Sequence, residues 1–240
     1  EYEKSFPDRL DHFGYRLAGG ILGHYVEFQK KCGTVLPEDL AEYTVAGEAR
    51  GGTKILKRSE LLEAARGNFR ELAGSRTSIR DYSGEPVSME TIREAVSLAC
   101  RTPSSCNRQP GRVYLIADPG RIRKVCEMLP GYHAFGNPPD KLLLAASDTR
   151  VFARAGESHQ AWVEGGMFAM SLIYALNYLG VASCILNWSV PPEMDLEMRR
   201  ILDIDEAHQD LFFIALGHFK EENKAAASER RPVEEILFIR

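Results

Sequence analysis

Residues 160–186, QAWVEGGMFAMSLIYALNYLGVASCIL, decide the fold of this chain. Apolar residues occur on nearly every face of a helix drawn from Gln160 to Leu179, so we expect this helix to be buried on all sides. The small residues Ala161, Gly165 and Ala169 recur at every fourth position and form a stripe that lets another helix approach closely. In a chain of 240 residues, such a helix is either the central core helix of a monomer or is covered in part by a second subunit.

The same stretch has the hydropathy of a membrane span, because no charged residue occurs between Gly165 and Pro192. Met167–Leu186 is about long enough to cross a bilayer. Gly180 interrupts it, however, and Val181–Leu186 is typical of a separate buried strand. No basic cluster flanks the segment, whereas membrane helices usually carry one on their cytoplasmic side. We therefore expect a buried helix followed by a strand, and no membrane partner.

Strand and helix patterns alternate on both sides of this segment. The predicted strands are Val113–Ala117, Leu142–Ala146, Val181–Leu186, Leu211–Leu216 and Ile236–Ile239. One further helix is predicted to begin at Ser59, with the inner face Leu61, Leu62, Ala65, Phe69 and Leu72, and another at Ser88, with the inner face Ile92, Ala95, Val96, Ala99 and Cys100. A third is predicted to begin at the cap Asp118 with Pro119 at its first position, and a fourth spans Glu193–Leu202. Interleaved strands and helices indicate an α/β or α+β fold.

Composition and charge are those of an ordinary globular protein. Hydrophobic residues make up 44% of the chain and charged residues 27%, and the net charge is −4 at pH 7. No block of five or more like charges occurs, so nothing in the charge pattern favours a nucleic-acid partner. The five cysteines are an odd number without a Cys-x-x-Cys pair. This spacing argues against a disulfide framework or a zinc ribbon and favours a reducing, cytoplasmic location.

Residues 1–58 are the least regular part of the chain. Tyr15–Phe28 has apolar residues at helical spacing, although Gly19, Gly20 and Gly23 weaken a helix there. We expect an N-terminal extension over residues 1–58 and one larger domain over residues 59–240.

Two polar segments precede the strand at residue 113. Arg76-Thr77-Ser78-Ile79-Arg80 places two cations four residues apart with hydroxyls between them, an arrangement that can surround an anion. Residues 103–110, PSSCNRQP, form a loop with a proline at each end and uncharged donors and acceptors between them. Such a loop suits the recognition of a flat heterocycle. Two surface arginines and a solvated connection are the ordinary alternatives.

Two further segments lie near the end of the chain. Residues 183–188, SCILNW, end a predicted strand with Asn187 and Trp188, and strand ends are frequent ligand sites in such folds. Trp188 could equally cover the core. Residues 228–235, SERRPVEE, place Arg230 and Arg231 before a proline, where two guanidinium groups can hold a phosphate or form part of a charged tail.

Together these motifs resemble the FMN-dependent nitroreductase family. The resemblance rests on RTSIRDYS at 76–83, PSSxNxQP at 103–110, LGVASC at 179–184 and RRPxEE at 230–235, and it covers roughly residues 75–240. It implies an α+β fold in which a mixed sheet is flanked by helices. It further implies an intertwined homodimer with FMN at the subunit interface.

The resemblance also implies two groups of flavin contacts. In the first group, Arg76, Thr77, Ser78 and Arg80 would contact the flavin phosphate and pyrimidine edge. Asn187 and Trp188 would lie near the flavin N5, and Arg230 would hold the phosphate with Arg231 as its neighbour. From the partner subunit, the contacts would be Pro103, Ser104, Ser105, Asn107 and Gln109. The flavin would perform the chemistry, so no catalytic side chain is expected.

Three positions depart from the family pattern. Gly111 stands where the family often has an aromatic residue, and Ser228 stands where it has a lysine. Asn187-Trp188 replaces the more common acidic residue and glycine, so a bulky indole would narrow the pocket beside the flavin.

The expected function is therefore that of an FMN-dependent oxidoreductase. It would pass electrons from NADH or NADPH to a small, flat oxidant such as a nitroaromatic or a quinone. One alternative is specialised flavin chemistry of the same family, namely flavin fragmentation, dehalogenation or heterocycle dehydrogenation. The other is a non-catalytic binding protein with a nitroreductase-like fold.

Overall fold

The computed structural model describes residues 13–37, 40, 53–65 and 67–240. The chain divides into two compact units. One unit comprises residues 1–54 together with 226–240, and the other comprises residues 55–225.

The described residues of the first unit include one long helix and the C-terminal segment. Helix α1 spans Phe13–Lys31, so the glycines within it do not prevent helix formation. The C-terminal segment has a single 3-10 turn at Val233–Glu235. The predicted strand at Ile236–Ile239 is wrong, because a strand needs a hydrogen-bonded neighbour and no described strand pairs with these residues. Their side chains are instead 61–89% exposed.

The second unit and its boundaries hold the remaining elements. The strands are β1 (Thr53–Lys57), β2 (Gly111–Ile116), β3 (Lys141–Asp148), β4 (Val181–Asn187), β5 (His208–His218) and β6 (Glu222–Ala226). The helices are α2 (Arg58–Ala65), α3 (Phe69–Ser75), α4 (Met89–Ala99), α5 (Pro119–Met128), α6 (Gln160–Tyr178) and α7 (Pro192–Leu202). Four of the five strands predicted from the sequence are therefore confirmed, whereas the polar strands β1 and β6 lacked the apolar pattern that would have revealed them.

The central sheet has the strand order β2-β3-β5-β4, and each neighbouring pair is antiparallel. Strands β1 and β6 form a separate two-stranded sheet. The one parallel pairing described is an isolated bridge between Ser78 and Ser183 on β4. The prediction of a mixed sheet is therefore correct only for this bridge. All neighbouring strands of the central sheet are antiparallel, so the prediction is wrong for the sheet itself.

Helices cover both faces of the central sheet. On one face, α4 and α6 pack against Leu143 and Ile214. On the other face, α5 and α7 pack against Leu142, Leu144 and Phe213. Because neighbouring residues of a strand point to opposite faces, the apolar run of β3 supplies both cores. This arrangement confirms the α+β prediction.

Helix α6 is only partly buried within the chain. A Cβ atom on Gly165 would lie 2.4 Å from Cδ1 of Leu211 and 3.2 Å from Cβ of Ser147, so the small-residue stripe faces the sheet of its own chain and not another helix. The opposite side is apolar and exposed, with accessibilities of 36–53% for Trp162, Val163, Met167 and Met170. The prediction that α6 is buried on all sides is therefore wrong for the single chain. Among the described residues, none of the helices combines the length and apolarity that crossing a bilayer requires.

The helix starts follow the capping residues, with one difference. Ser88 caps α4 and Asp118 caps α5, each accepting a backbone hydrogen bond, as expected. The helix predicted to begin at the cap Ser59 and to include Leu72 is instead divided into α2 and α3. Helix α2 begins at Arg58, so Ser59 lies inside it and is not its cap. Asn68 begins α3 by accepting hydrogen bonds from the backbone of Arg70 and Glu71, a role in which asparagine stabilises a new helix start.

Candidate functional site

The segment Arg76–Arg80 runs along the outer edge of β4. The backbone N–H of Ile79 donates to the carbonyl of Ser183 at 3.0 Å, next to the bridge between Ser78 and Ser183. Ile79 is 1% exposed and fastens the segment to the core. Residues alternate in direction along an extended segment, so Arg76, Ser78 and Arg80 lie on the side opposite to Ile79.

Arg76 and Arg80 are half-buried, and neither guanidinium forms an ion pair or hydrogen bond with any other residue that the structure describes. Both lie close enough to Cys184 to influence it. Burial raises the pKa of the Cys184 thiol, while Arg80, a hydrogen bond with Ser78 and Arg76 partly oppose that rise. Two cations, a hydroxyl and a buried thiol therefore share one neighbourhood at the edge of β4. Thr77, between them, is also half-buried.

The loop at residues 103–110 is held in an unusual conformation. Cys106, Asn107 and Gln109 have φ angles of 52°, 54° and 50°, which non-glycine residues adopt only when their surroundings enforce them. Oγ of Ser104 accepts a hydrogen bond from the backbone N–H of Gln109 at 2.9 Å and closes the loop. The loop is thus fixed before any ligand binds.

Arg108 and Glu164 anchor this loop to the rest of the unit. Arg108 forms an ion pair with Glu157 at 2.7 Å and donates to the carbonyl of Val151 at 3.1 Å. This pairing holds the pKa of Glu157 at about 2. Glu164 on α6 accepts from the backbone N–H of Ser105 at 3.0 Å. Neither anchor is predictable from the sequence, because an arginine inside a polar loop and a single acid inside an apolar helix carry no local signal.

A cavity of about 160 Å³ lies between this loop and α6. Pro103, Ser104 and Gln109 line it together with Gly111 and Phe168. A Cβ atom on Gly111 would lie 2.5 Å from the Phe168 ring, so glycine is needed at this position, where the family pattern often has an aromatic residue. Phe168 supplies an aromatic ring at this place instead.

Asn187 and Trp188 follow the edge of β4. Asn187 is exposed and is the last residue of the strand. The Trp188 ring contacts Phe213 with centroids 5.2 Å apart, and its Nε1 donates to Oδ1 of Asp195 at 2.7 Å. Trp188 therefore covers part of the core, and its N–H is already used.

A cluster of ion pairs lies where β3 ends. Asp148 is buried, and its Oδ2 lies 2.9 Å from Nη2 of both Arg112 and Arg150. Hydrogen bonds from Arg150 hold the pKa of Asp148 well below its usual range. Arg112 and Arg150 are thus committed to a carboxylate, unlike Arg76 and Arg80.

One chain does not bring the two predicted groups of flavin contacts together. Arg76–Arg80 border β4, whereas residues 103–110 lead into β2 at the opposite edge of the sheet. Three strand spacings, about 14 Å, separate these two edge strands.

Arg230 and Arg231 belong to the other unit, where both are exposed. Arg230 donates to the carbonyl of Ser228, and Arg231 pairs with Glu235, each at 2.7 Å. Their role at the phosphate stays a prediction.

Comparison with known sequences agrees with the motifs. Residues 73–133 match the model of the nitroreductase family. A protein of Thermus thermophilus named NADH dehydrogenase is 27% identical over 195 residues, which cover 69% of this chain and 92% of the relative.

Comparison with solved structures agrees with the fold. A nitroreductase family protein from Streptococcus pneumoniae superimposes with a TM-score of 0.63 at 19% identity, covering 72% of this chain and 100% of the other. A Desulfovibrio desulfuricans protein described as a nitroreductase, in complex with FMN, gives a TM-score of 0.60 at 22% identity, covering 72% and 97%. Residues 73–133 of this chain thus match the nitroreductase family, and the chain shares the fold of these structures.

Proposed function

We propose that this chain is an FMN-dependent oxidoreductase that takes electrons from NADH or NADPH and delivers them to a small, flat oxidant such as a nitroaromatic or a quinone. The names of the relatives support the donor and the cofactor, since one relative is named NADH dehydrogenase and one similar structure contains FMN. When bound, FMN would supply the hydride and electron chemistry, and the residues of this chain would bind and orient it.

One observation carries the proposal: the two half-buried, unpaired guanidinium groups of Arg76 and Arg80 at the edge of β4. A cation that is partly removed from water without a carboxylate partner loses hydration and gains nothing in return. A phosphate monoester provides the missing charge, and guanidinium groups bind it through short, charge-assisted hydrogen bonds. The residues present therefore fit the phosphorylated end of FMN.

Arg76, Ser78 and Arg80 have a second effect on a ring held beside them. A guanidinium or hydroxyl donor close to a heterocycle stabilises negative charge that the ring acquires. The backbone that carries these side chains is held in place by the bridge between Ser78 and Ser183 before a ligand arrives.

The loop at 103–109 would supply the remaining contacts from a second copy of the chain. Within one chain this loop lies at the sheet edge opposite to Arg76 and Arg80, so each chain offers both halves of the site without uniting them. The exposed apolar side of α6, which includes Trp162, Val163 and Met167, is a surface that a second copy would cover. We therefore propose a homodimer in which each site is shared.

The function is tested on the purified chain with added FMN. We expect a flavin absorbance that stays with the protein through gel filtration and oxidation of NADH or NADPH that requires both FMN and a quinone or nitroaromatic. A protein that binds FMN but oxidises neither nucleotide would favour the non-catalytic alternative. A protein that never retains FMN would contradict the proposal.

The shared site is tested by placing charge on α6. Val163→Asp combined with Met167→Asp should convert a dimer into a monomer in analytical ultracentrifugation and weaken FMN binding. Leu196→Asp, at a residue of α7 that is 53% exposed, is the matched control and should change neither property. A parent protein that is monomeric with FMN bound would contradict the shared site.

A further inference from the structure

A further cavity lies between the beginning of helix α5 and the loop that leads into β3. Its volume is about 410 Å³, within the range of roughly 300–1,000 Å³ that small-molecule sites occupy. Pro119 and Ile122 of α5 line one side, and Pro138 and Pro139 of the loop line the other. Pro119 and Pro138 are exposed, so the cavity opens to solvent beside them.

This cavity is separate from both groups of residues that the proposed function assigns to FMN. The loop at 103–110 leads into β2 at Gly111, whereas the cavity lies beyond Ile116, at the other end of that strand. The six residues of β2 span about 20 Å. The segment Arg76–Arg80 borders β4, at the opposite edge of the sheet from β2. None of these flavin-site residues lines the cavity.

The walls of the cavity favour a flat, apolar group. Three prolines and Ile122 offer hydrocarbon surface, and Tyr132 adds one aromatic ring. Tyr132 is half-buried, and burial raises the pKa of its hydroxyl, which therefore stays uncharged at neutral pH. An aromatic ligand can pack against the prolines and against the Tyr132 ring. Because an apolar cavity of roughly 150 Å³ already holds benzene, this one accommodates a ring with a short side chain.

Two charged residues line the cavity, and one of them is already engaged within the protein. Oδ2 of Asp140 accepts from the backbone N–H of Val87 at 2.8 Å and lies 2.5 Å from Nζ of Lys141, which balances its charge. Arg123, in contrast, is exposed and forms no ion pair or hydrogen bond with any other residue that the structure describes. The cavity therefore presents one available cation.

Helix geometry directs this cation toward the cavity. Pro119 and Arg123 are four residues apart in α5, so they lie on the same face of the helix, one turn apart. Side chains of a helix lean toward its N-terminus, so the side chain of Arg123 extends over the turn that begins with Pro119. A guanidinium group beside apolar walls is complementary to an anion that is attached to an apolar ring.

We propose that this cavity binds a small aromatic carboxylate, with its ring between the prolines and Tyr132 and its carboxylate paired with the guanidinium group of Arg123. An exposed ion pair contributes little by itself, so burial of the ring supplies most of the affinity and Arg123 selects for the negative charge. The inference concerns a site within one chain and does not rest on the proposed function.

The test uses cinnamate as the probe and the purified 240-residue chain, with binding measured by isothermal titration calorimetry. We expect saturable binding of one cinnamate per chain and at least roughly fivefold weaker binding of cinnamamide, which has the same ring and no charge. Arg123→Gln should weaken cinnamate binding by roughly fivefold or more and leave cinnamamide binding unchanged. Arg121→Gln removes the same charge from an exposed position of α5 that does not line the cavity, and it should change neither affinity.

Several results would overturn the proposal. These are the absence of saturable cinnamate binding, equal binding of cinnamamide, an unchanged affinity in Arg123→Gln, or equal weakening in Arg121→Gln, which would reduce the effect to general charge attraction.

A separate control distinguishes this site from the flavin site. Added FMN, or the combined Arg76→Ala and Arg80→Ala replacement, should leave cinnamate binding unchanged, because neither affects the cavity. Loss of cinnamate binding in either case would place the ring at the β4 edge, which would overturn this proposal and leave the proposed function standing.

Discussion

Arginines at the two edges of the central sheet have opposite surroundings. Near β2, Arg108 pairs with Glu157, and Arg112 and Arg150 pair with Asp148, all at 2.7–2.9 Å. Near β4, Arg76 and Arg80 have no carboxylate among the described residues within ion-pair distance. The same side chain therefore fixes a loop at one edge and is left available at the other.

This difference separates structural charges from binding charges. An arginine whose carboxylate partner comes from the same chain has its hydrogen bonds satisfied and can add little to ligand binding. A half-buried arginine without such a partner keeps its hydrogen bonds free for an anion from outside. The number of arginines does not distinguish structural charges from binding charges, whereas the presence or absence of a carboxylate partner does.

The largest effect is expected at the β4 edge. Replacing both Arg76 and Arg80 by alanine should weaken FMN binding by roughly 100-fold or more, because two charge-assisted contacts to the phosphate are lost. The thermal midpoint should change little, since these side chains make no contact that folding requires. Fluorescence quenching of FMN on titration gives the affinity.

The control for that variant is Arg93→Ala, which removes the same charge from an exposed position on α4. Its FMN affinity should equal that of the parent. A double variant at Arg76 and Arg80 that unfolds would show that these arginines stabilise the fold, and the contrast between the two edges would disappear.

The next largest effect is expected in the ion pairs beside β2. Asp148→Asn should lower the free energy of unfolding at pH 7 by about 3 kcal/mol, because it removes a buried carboxylate charge, leaves Arg112 without its anion and leaves Arg150 paired with Asp205 alone. The folded-state pKa of Asp148 is lowered, so its contribution is present above pH 4 and is lost as pH falls further. Urea denaturation at pH 7 and pH 3 should show a smaller difference at pH 3, and an equal difference would contradict the assignment.

A third, smaller effect sharpens the comparison, because it concerns an imperfect pair. Asp210 is buried, and its Oδ2 lies 2.9 Å from Nη2 of Arg199 without hydrogen-bond geometry. Burial raises its pKa to about 6, which Arg199 partly opposes and Asp195 reinforces. Between pH 4 and 6 the folded chain keeps a proton that the unfolded chain has released, so the stability due to this group falls as pH rises.

Asp210→Asn removes this titration. Relative to the parent, the variant should gain stability between pH 4 and pH 7, by no more than about 3 kcal/mol. Urea denaturation at both pH values measures the change. A relative loss of stability with rising pH would show that Arg199 compensates the Asp210 charge fully.

The sequence predicted those parts of the fold that depend on local signals. The caps at Ser88 and Asp118 and the extent of α6 follow from capping residues and apolar spacing, and the structure confirms them. Strands β1 and β6 could not be predicted in this way, because TKILK and ENKAA lack a regular apolar alternation and depend on pairing with each other.

The candidate site was predictable in part for the same reason. Arg76–Arg80 and residues 103–110 are contiguous motifs, so the sequence indicates them. The ion pair of Arg108 and the contact of Glu164 with Ser105 join residues far apart in the chain, and only the fold reveals them. The interpretation of Gly165 was wrong because a small-residue stripe has the same spacing whether it faces a helix or, as here, a sheet.

The most direct test of the central claim compares FMN with riboflavin, which has the same ring system and no phosphate. If unpaired guanidinium groups at the β4 edge hold the phosphate, the parent should bind FMN at least roughly tenfold more tightly than riboflavin. In the Arg76→Ala, Arg80→Ala variant this preference should largely vanish because FMN binding falls and riboflavin binding does not. An equal preference for FMN in the parent and the variant would contradict the account.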